Sequence, residues 1–315
     1  MKLSRIKKQL QKNIIGRFVI TIYHSLVGKS IFKFNKFKYR FVKNKIKKMK
    51  FYSIEQTFDL LESSYSISRF GDGEIAWIYQ DSKEAFGQEN SKELSLALMK
   101  ALLSHEKKLL IGIPGYFGNH RNYTPRFVNA SKAHLAVYGK RWMKILNSNT
   151  RYADALITRP YFGFDKKTYS YIFSRWKRLW DNKDILIVEG RDTKFGIGND
   201  LLSNAKSISR IICPSENAFS MYKTIYQKTI NKATGKIILI ALGPTATVLS
   251  YELSHLGIQA IDIGHLDIEY EWYKHKAKSK TPVRGKYVNE SGGKPLQPIA
   301  YSDMRIYKSQ IIDEC

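Results

Sequence analysis

Cysteine is scarce in this 315-residue chain, which contains two: Cys213, inside an apolar run, and Cys315. Two cysteines cannot build the disulfide framework of a small secreted protein or a cysteine-based zinc site. The sequence therefore fits a reducing, cytosolic compartment.

Apolar runs long enough to cross a membrane are also missing. Near the N-terminus, Arg17, His24 and Lys29 bracket or interrupt an apolar stretch that is much shorter than the ~20 residues of a spanning helix. A cleaved secretory signal fits poorly as well, because no small-residue cleavage site follows and basic residues continue to Lys50. Neither a spanning nor a secreted protein is predicted.

Acidic residues are absent from the first 50 positions, which contain 16 of the 53 Lys and Arg residues. Apolar residues interleave with these charges over residues 14–27 and 32–42. We expect residues 1–50 to form a basic amphipathic extension that lies on an anionic membrane surface, at the inner face of the cell membrane. Nucleic acid is a rival partner, disfavoured because nothing later in the chain resembles a recognition module. A solvated basic arm is the third interpretation.

From about Phe51 onward, strand and helix patterns alternate, which predicts one α/β domain with a mostly parallel sheet flanked by helices over residues 51–290. Residues 291–315 are predicted to be a loop-rich tail. The predicted strands cover residues 66–69, 109–113, 155–158, 185–188, 209–213, 237–242 and 259–263. The predicted helices include 91–103, a long one ending near 146, 167–179, a short one at 199–202, and 217–229.

The most informative segment is residues 69–74, Arg-Phe-Gly-Asp-Gly-Glu, which follows the predicted strand 66–69. Its glycines predict a loop in which the backbone can approach a ligand closely. Asp72 and Glu74 are hard oxygen ligands of the kind that Mg²⁺ or Mn²⁺ takes together with substrate phosphates. We therefore predict a metal site at Asp72 and Glu74, with Arg69 facing a phosphate. A tight turn with solvated carboxylates is the alternative.

Two further strand ends carry candidate donor contacts. The apolar run 237–242 leads into Gly243-Pro244-Thr245 and then a helical pattern, and such a strand-turn-helix unit offers a phosphate its free N–H groups. Gly243 and Thr245 are the predicted contacts there. Glu189 and Arg191 follow the strand 185–188, and we predict that they contact the donor as well.

The strand 259–263 is followed by a polar cluster that contains His265, Asp267 and Glu269. Ligands of an open parallel sheet gather beyond the carboxyl ends of its strands, so these three are the candidate catalytic residues. An inverting enzyme needs a base for the acceptor hydroxyl; Glu269, Asp267 and Glu189 are the candidates, and the carboxylates of this cluster are favoured. A satisfied core histidine and solvated first-turn carboxylates are the alternative interpretations.

Taken together, segments 69–74, 188–202 and 242–272 resemble the bacterial GT-D type glycosyltransferases, and the resemblance spans roughly residues 52–290. It implies a Rossmann-like domain, an Asp-x-Glu metal motif matched by Asp72 and Glu74, and a nucleoside-diphosphate sugar donor. The individual roles of the other site residues do not follow from it.

The expected function is therefore a Mn²⁺- or Mg²⁺-dependent transfer of a glucose-like hexose from a UDP-sugar to a glycan acceptor on a protein or lipid carrier. The alternative is a non-catalytic scaffold whose basic arm docks to membrane or RNA. An NAD-dependent oxidoreductase is disfavoured, because no Gly-x-Gly-x-x-Gly opens a strand-helix unit.

Overall fold

The computed structural model of the chain describes residues 42, 44–82, 84–118, 120–291, 293, 295 and 297–315. Within these residues the strands are β1 (Lys50–Phe51), β2 (Ser66–Arg69), β3 (Leu109–Ile113), β4 (Arg151–Asp154), β5 (Asp184–Gly190), β6 (Ser207–Cys213), β7 (Ile237–Ala241), β8 (Ala260–Asp262) and β9 (Ile311–Glu314). The α-helices are α1 (Ile54–Glu62), α2 (Asp72–Ile78), α3 (Lys92–Leu102), α4 (Pro125–Ile145), α5 (Pro160–Gly163), α6 (Lys166–Leu179), α7 (Tyr222–Lys232), α8 (Pro244–Ser254), α9 (Leu266–Lys274) and α10 (Tyr301–Gln310).

The described strands form one sheet in the order β1-β4-β3-β2-β8-β7-β5-β6-β9, and every neighbouring pair is parallel. The predicted α/β class and parallel sheet are thus confirmed. The edge strand β1 comes first; β2 then occupies the middle of the sheet, and β3 and β4 lie between β2 and β1. The strands β5 to β9 form the other half of the sheet, in which β8 pairs with β2. Consequently, segments nearly 200 residues apart in sequence follow two neighbouring strands.

Helices cover both faces of the sheet, which explains why its strands are continuous apolar runs. Successive residues of a strand point to opposite faces. In β5, Ile185 and Ile187 pack into the larger core cluster, whereas Leu186 and Val188 pack into a second cluster on the other face. All four side chains are fully buried. The central strands are therefore fixed from both sides, and the loops at their carboxyl ends start from rigid positions.

Helix α2 was not predicted, since its first residues contain two glycines. Its N-cap is Gly71, whose backbone N–H donates to the Glu74 carboxylate at 2.7 Å. The four residues from Ile75 to Ile78 are buried. Capping and burial together outweigh the low helix propensity of glycine, so the predicted loop is a helix from Asp72 onward.

Three other predictions of secondary structure were wrong. The predicted strand 155–158 is a 3-10 turn (Ala155–Thr158), and the strand β4 lies just before it. Residues 199–202 form turns and bends instead of a helix. The interval 291–315 is less loop-rich than predicted, because α10 leads into β9, which extends the sheet beside β6.

The domain begins before the predicted boundary at Phe51. Val42, Ile46 and Met49 are buried in the main core, and β1 pairs with β4. The prediction of an amphipathic extension falls mostly on residues 1–41 and 43, which lie outside the described residues. Among the described helices, none is long and apolar enough to cross a membrane.

The two cysteines lie next to each other. Cys213 ends β6 and Cys315 follows β9, and their sulfur atoms are 4.0 Å apart. Both thiols are free, in keeping with a chain that is not built around disulfides.

Candidate active site

A cavity of about 600 Å³ lies at the carboxyl ends of the strands. Its lining comes from the segments that follow β2 to β8 and from the loop between residues 280 and 290. This is the place where open parallel sheets bind ligands, and the volume is typical of a small-molecule site. The cavity is therefore the candidate active site.

Arg69, at the end of β2, is held by the neighbouring strand β8. Its Nε donates to the Asp262 carbonyl oxygen at 2.6 Å, and its Nη2 donates to Asp262 Oδ1 at 2.6 Å. Thr247 Oγ1 donates to Asp262 Oδ2 at 3.1 Å. Gly264 has φ +50°, and a Cβ there would lie 2.1 Å from Arg69 Nη2, so only glycine leaves room for the guanidinium. Arg69 lines the cavity with its charge balanced by Asp262.

Asp72 and Glu74 both line the cavity, but their carboxylates are differently engaged. Asp72 is the first residue of α2 and is exposed, and no other described residue donates a hydrogen bond to its carboxylate. Glu74 is partly buried and accepts from Gly71 N. Burial, together with the charge of Asp262, raises the pKa of Glu74 to about 7. The hydrogen bond from Gly71 N thus occupies one of the two carboxylates and leaves the other without such a contact.

An aromatic wall lies beside Asp72. Tyr116 and Phe127 meet edge to face at 5.7 Å between ring centroids, and both line the cavity with His134. Burial lowers the pKa of His134 to about 4, which keeps the imidazole neutral. Its Nε2 therefore accepts the hydrogen bond from Trp142 Nε1 at 3.0 Å. This side of the cavity offers apolar ring faces of the kind that stack on a nucleobase or sugar.

The loops behind this wall are fixed by a buried carboxylate, Asp154. It accepts from Gly115 N at 3.0 Å, from Leu156 N at 2.9 Å and from the Tyr123 hydroxyl. Burial raises the pKa of Asp154 to about 6. A Cβ on Gly115 would lie 2.3 Å from the Asp154 carboxyl carbon, so the turn after β3 requires glycine.

Arg159 and His265, which also line the cavity, meet the carboxylate of Glu290. Arg159 Nη1 contacts Glu290 Oε1, and Arg159 Nη2 lies 3.0 Å from His265 Nδ1. Glu290 Oε1 also lies 3.5 Å from Lys280 Nζ. Burial and then the charge of Arg159 lower the pKa of His265 to about 3, so its imidazole is neutral. Since a guanidinium only donates, His265 Nδ1 is the acceptor and its proton lies on Nε2.

Asp267 belongs to a buried polar cluster at the start of α9. Its carboxylate accepts from Lys286 Nζ and from Asn199 Nδ2, each at 2.7 Å. Glu271, one turn later, accepts from the same two side chains at 3.0 and 2.6 Å. Burial raises the pKa of Asp267 even though Lys286 opposes it. Of these residues, Asp267 lines the cavity.

Other predicted site residues lie outside the cavity lining. Glu269 is buried and accepts from Tyr161 N at 2.9 Å, and burial raises its pKa to about 7. Thr245 is fully buried within α8, although its neighbour Gly243 does line the cavity. Arg191 is largely exposed and pairs with the carboxylate of the penultimate residue, Glu314.

Glu189 does not line the cavity either. Its carboxylate accepts from Arg210 Nη1 at 2.5 Å and from Phe195 N at 2.7 Å, and both charged side chains are fully buried. The predicted roles of Glu189, Arg191, Thr245 and Glu269 remain predictions.

Several residues that complete the site were not predicted from the sequence. No motif marks Arg159, and Lys280, Lys286 and Glu290 lie in a polar region without a motif. No local pattern could have paired them with His265 and Asp267, because their proximity depends on how the chain returns across the sheet. Among the described residues, no three His, Cys, Asp or Glu side chains cluster as a ready-made metal site.

Comparison with known proteins agrees with this geometry. A family model described as "Glycosyltransferase GT-D fold" matches residues 67–291, which include nearly all the cavity-lining residues. A solved structure of the conserved domain of unknown function 1792, described as having a distinct glycosyltransferase fold, is similar with a TM-score of 0.79 and 32% identity over 88% of this chain and 99% of that one. A second, described as a new glycosyltransferase from Streptococcus sanguinis, has a TM-score of 0.76 and 35% identity over 84% of this chain and 99% of that one.

Two curated proteins are similar in sequence. The "Probable glycosyl transferase Gly" of Streptococcus gordonii is 41% identical over 264 residues, which cover 82% of this chain and 38% of that protein. The "Glycosyltransferase GlyD" of Streptococcus pneumoniae is 37% identical over 263 residues, or 82% of this chain and 32% of that protein. The chain thus spans about a third of the length of these relatives.

Proposed function

Because the chain belongs to the GT-D fold glycosyltransferase family, we propose that it transfers a glucose-like hexose from a UDP-sugar to a hydroxyl group of a glycan acceptor carried by a protein or a lipid. The glycosyltransferase class follows from the family. The donor, the sugar, the acceptor and the metal are the proposal.

The observation that carries the proposal is the cavity itself. It is large enough for a nucleotide sugar, its lining includes, first, aromatic side chains and, second, cationic side chains, and it contains the exposed carboxylate of Asp72. A nucleobase or hexose matches the first of these features, and a diphosphate matches the second. A hydride-transfer cofactor is not supported, since no Gly-x-Gly-x-x-Gly turn follows any of the strands.

The residues present fit a divalent cation through Asp72. Mg²⁺ and Mn²⁺ need only one or two protein carboxylates when phosphates and water complete the coordination shell. Asp72 is unengaged within the described part of the chain and lines the cavity, whereas Glu74 would have to leave Gly71 N to join it. When bound there with a donor, the cation would neutralise charge that develops on the leaving diphosphate.

An inverting transfer needs a base for the acceptor hydroxyl, and we propose Asp267 for this role. Of the three carboxylates predicted as candidates, Asp267 lines the cavity, and Glu269 and Glu189 do not. Burial raises the pKa of Asp267, which makes its carboxylate a better proton acceptor. Lys286 and Asn199 hold it in place, and the neutral His265 nearby is a hydrogen-bonding side chain for the bound substrate.

The test is a panel of nucleotide sugars assayed for turnover with Mn²⁺, Mg²⁺ or EDTA, comparing the wild type with Asp72→Asn. We expect metal-dependent turnover of one UDP-sugar that Asp72→Asn reduces by two orders of magnitude or more. The matched control is Glu55→Gln, which removes an exposed first-turn carboxylate from α1, outside the cavity. Equal turnover by wild type and Asp72→Asn would refute the metal assignment, and turnover only of nucleotides other than UDP would refute the donor.

We also propose that residues 1–50 bring the enzyme to an anionic membrane surface. The support is their composition, 16 basic and no acidic residues with interleaved apolar side chains, because each cation near such a surface contributes about 1 kcal/mol. Deleting residues 1–41 leaves the packed side chains from Val42 onward in place. The shortened protein should no longer cosediment with vesicles that contain anionic lipid. Unchanged binding would refute this proposal.

A further inference from the structure

We propose that the carboxylate of Glu290 occupies the place of the donor's diphosphate, and that the diphosphate displaces it on binding. This inference rests on the proposed function, because it concerns the same cavity and a nucleoside-diphosphate ligand. It names Arg159 and Lys280 as the cations that bind the diphosphate, and the short turn that carries Glu290 as the element that moves.

The cavity is lined by few cationic side chains. Among the described lining residues the cationic side chains are Arg69, Arg159 and Lys280. Arg69 is already committed, since Asp262 receives two hydrogen bonds from its guanidinium at 2.6 Å. A diphosphate carries at least two negative charges and needs cationic partners. Because Arg69 is paired with Asp262, the cations left to bind the diphosphate are Arg159 and Lys280.

Arg159 and Lys280 both lie beside the carboxylate of Glu290. Glu290 Oε1 contacts Arg159 Nη1 and lies 3.5 Å from Lys280 Nζ. Its other oxygen, Oε2, lies 3.4 Å from His265 Nε2. Because His265 Nδ1 accepts from Arg159, Nε2 bears the proton and points a donor at Glu290. Three donors thus converge on one carboxylate, and a phosphate oxygen accepts from the same set of groups.

The fold holds Arg159 and Glu290 differently. Arg159 follows the 3-10 turn Ala155–Thr158 and lies between two buried residues, Thr158 and Pro160. Glu290 lies on a three-residue 3-10 turn, Asn289–Ser291, in which no residue is buried. The buried residue before this turn is Val288, whose carbonyl accepts from Ser291 N at 3.0 Å. Because Arg159 is flanked by buried residues and Glu290 is not, the carboxylate is the partner that can leave.

The consequence is a competition between an internal anion and the ligand. A carboxylate and a diphosphate cannot both take the inner position between Arg159 and Lys280, and the more highly charged diphosphate has the stronger attraction for the pair. Donor binding and the position of the Asn289–Ser291 turn are then coupled, so a bound donor shifts the turn away from the place that it occupies in the structure.

The experiment measures the affinity for UDP and for inorganic diphosphate by titration calorimetry. Glu290→Gln keeps the shape of the side chain and removes its charge, so it should bind both ligands about three- to ten-fold more tightly than the wild type. Arg159→Gln and Lys280→Gln should each bind both ligands at least about five-fold more weakly. Glu252→Gln, which removes a surface carboxylate paired with Lys100 outside the cavity, should bind like the wild type.

The outcomes separate this inference from the proposed function. Unchanged or weaker binding of UDP and diphosphate by a folded Glu290→Gln would overturn the inference, even if the wild type turns over a UDP-sugar. Tighter binding by Glu290→Gln would support it, even if no turnover of any UDP-sugar is found. Hydrogen exchange supplies the second readout: amides of residues 287–291 should exchange faster when UDP is bound, and equal or slower exchange would contradict displacement.

Discussion

The buried ion pair between Glu189 and Arg210 offers the sharpest test of how the structure assigns roles to its charged residues. Both side chains are fully buried, and Glu189 accepts from Arg210 Nη1 at 2.5 Å and from Phe195 N at 2.7 Å. The sequence alone suggested a donor contact for Glu189. The structure instead leads us to expect that Glu189→Gln reduces stability and leaves the affinity for UDP unchanged within about two-fold.

The size of the effect follows from what remains around Arg210. Removing one partner of a buried ion pair costs about 3–5 kcal/mol, because the other charge stays buried and uncompensated. Arg210 keeps two acceptors, Gln310 Oε1 at 2.8 Å and the Phe195 carbonyl oxygen at 2.9 Å. We therefore expect the lower end of that range, a loss of about 3 kcal/mol in the free energy of unfolding.

Urea denaturation measures this loss, and calorimetry at a temperature where both proteins are folded measures UDP affinity. The control is Arg191→Gln, which breaks a pair with Glu314 whose side chains are 60% and 49% exposed. An exposed pair of this kind contributes at most about 1 kcal/mol. A Glu189→Gln protein that is as stable as the control and has lost UDP binding would refute this reasoning and restore the donor-contact prediction.

Two further predictions concern Gly264 and Glu269. Gly264→Ala should lower the free energy of unfolding by about 2 kcal/mol more than Gly235→Ala, because both glycines have positive φ but only at Gly264 does the new Cβ collide with Arg69. Gly264→Ala should also weaken UDP binding. Equal losses of stability in urea denaturation would contradict the clash. Burial raises the pKa of Glu269 from 4.5 to about 7, so the native state holds a proton that the unfolded chain releases, and Glu269 should contribute up to about 3 kcal/mol to the fall in the free energy of unfolding between pH 4.5 and 7. Glu74 and Asp154, whose pKa values burial also raises, contribute to the same fall. Glu269→Gln should make the fall smaller by its own share, and an unchanged pH profile would contradict this prediction.

The sequence predicted those parts of the fold that depend on residues close together in the chain. Apolar runs such as 237–242 became strands close to their predicted bounds, and the glycine-proline turn after that run leads into a helix as expected. Such strands can be predicted because a strand that is buried on both faces of a parallel sheet is a continuous run of apolar residues. The position of Asp72 beyond the end of β2 was also predictable, because ligand sites of such sheets lie at that edge.

Several contacts in the structure could not be read from the sequence. The glycines of residues 69–74 indicated a loop, but the contact from Gly71 N to Glu74 and the burial of the following side chains made a helix. Glu189 looked like a site residue because it ends a strand, and its partner Arg210 is visible only once β5 and β6 are paired. The cluster of Arg159 and Glu290 joins residues 131 positions apart, and no sequence pattern marks either one.

The most direct test of the account is a structure of the protein with UDP and Mn²⁺ bound. The account predicts the nucleotide in the cavity at the carboxyl ends of the strands, the metal ion coordinated by Asp72, and the diphosphate between Arg159 and Lys280 with Glu290 displaced. Nucleotide bound elsewhere, or a diphosphate in the cavity that contacts neither Arg159 nor a metal ion on Asp72, would contradict it.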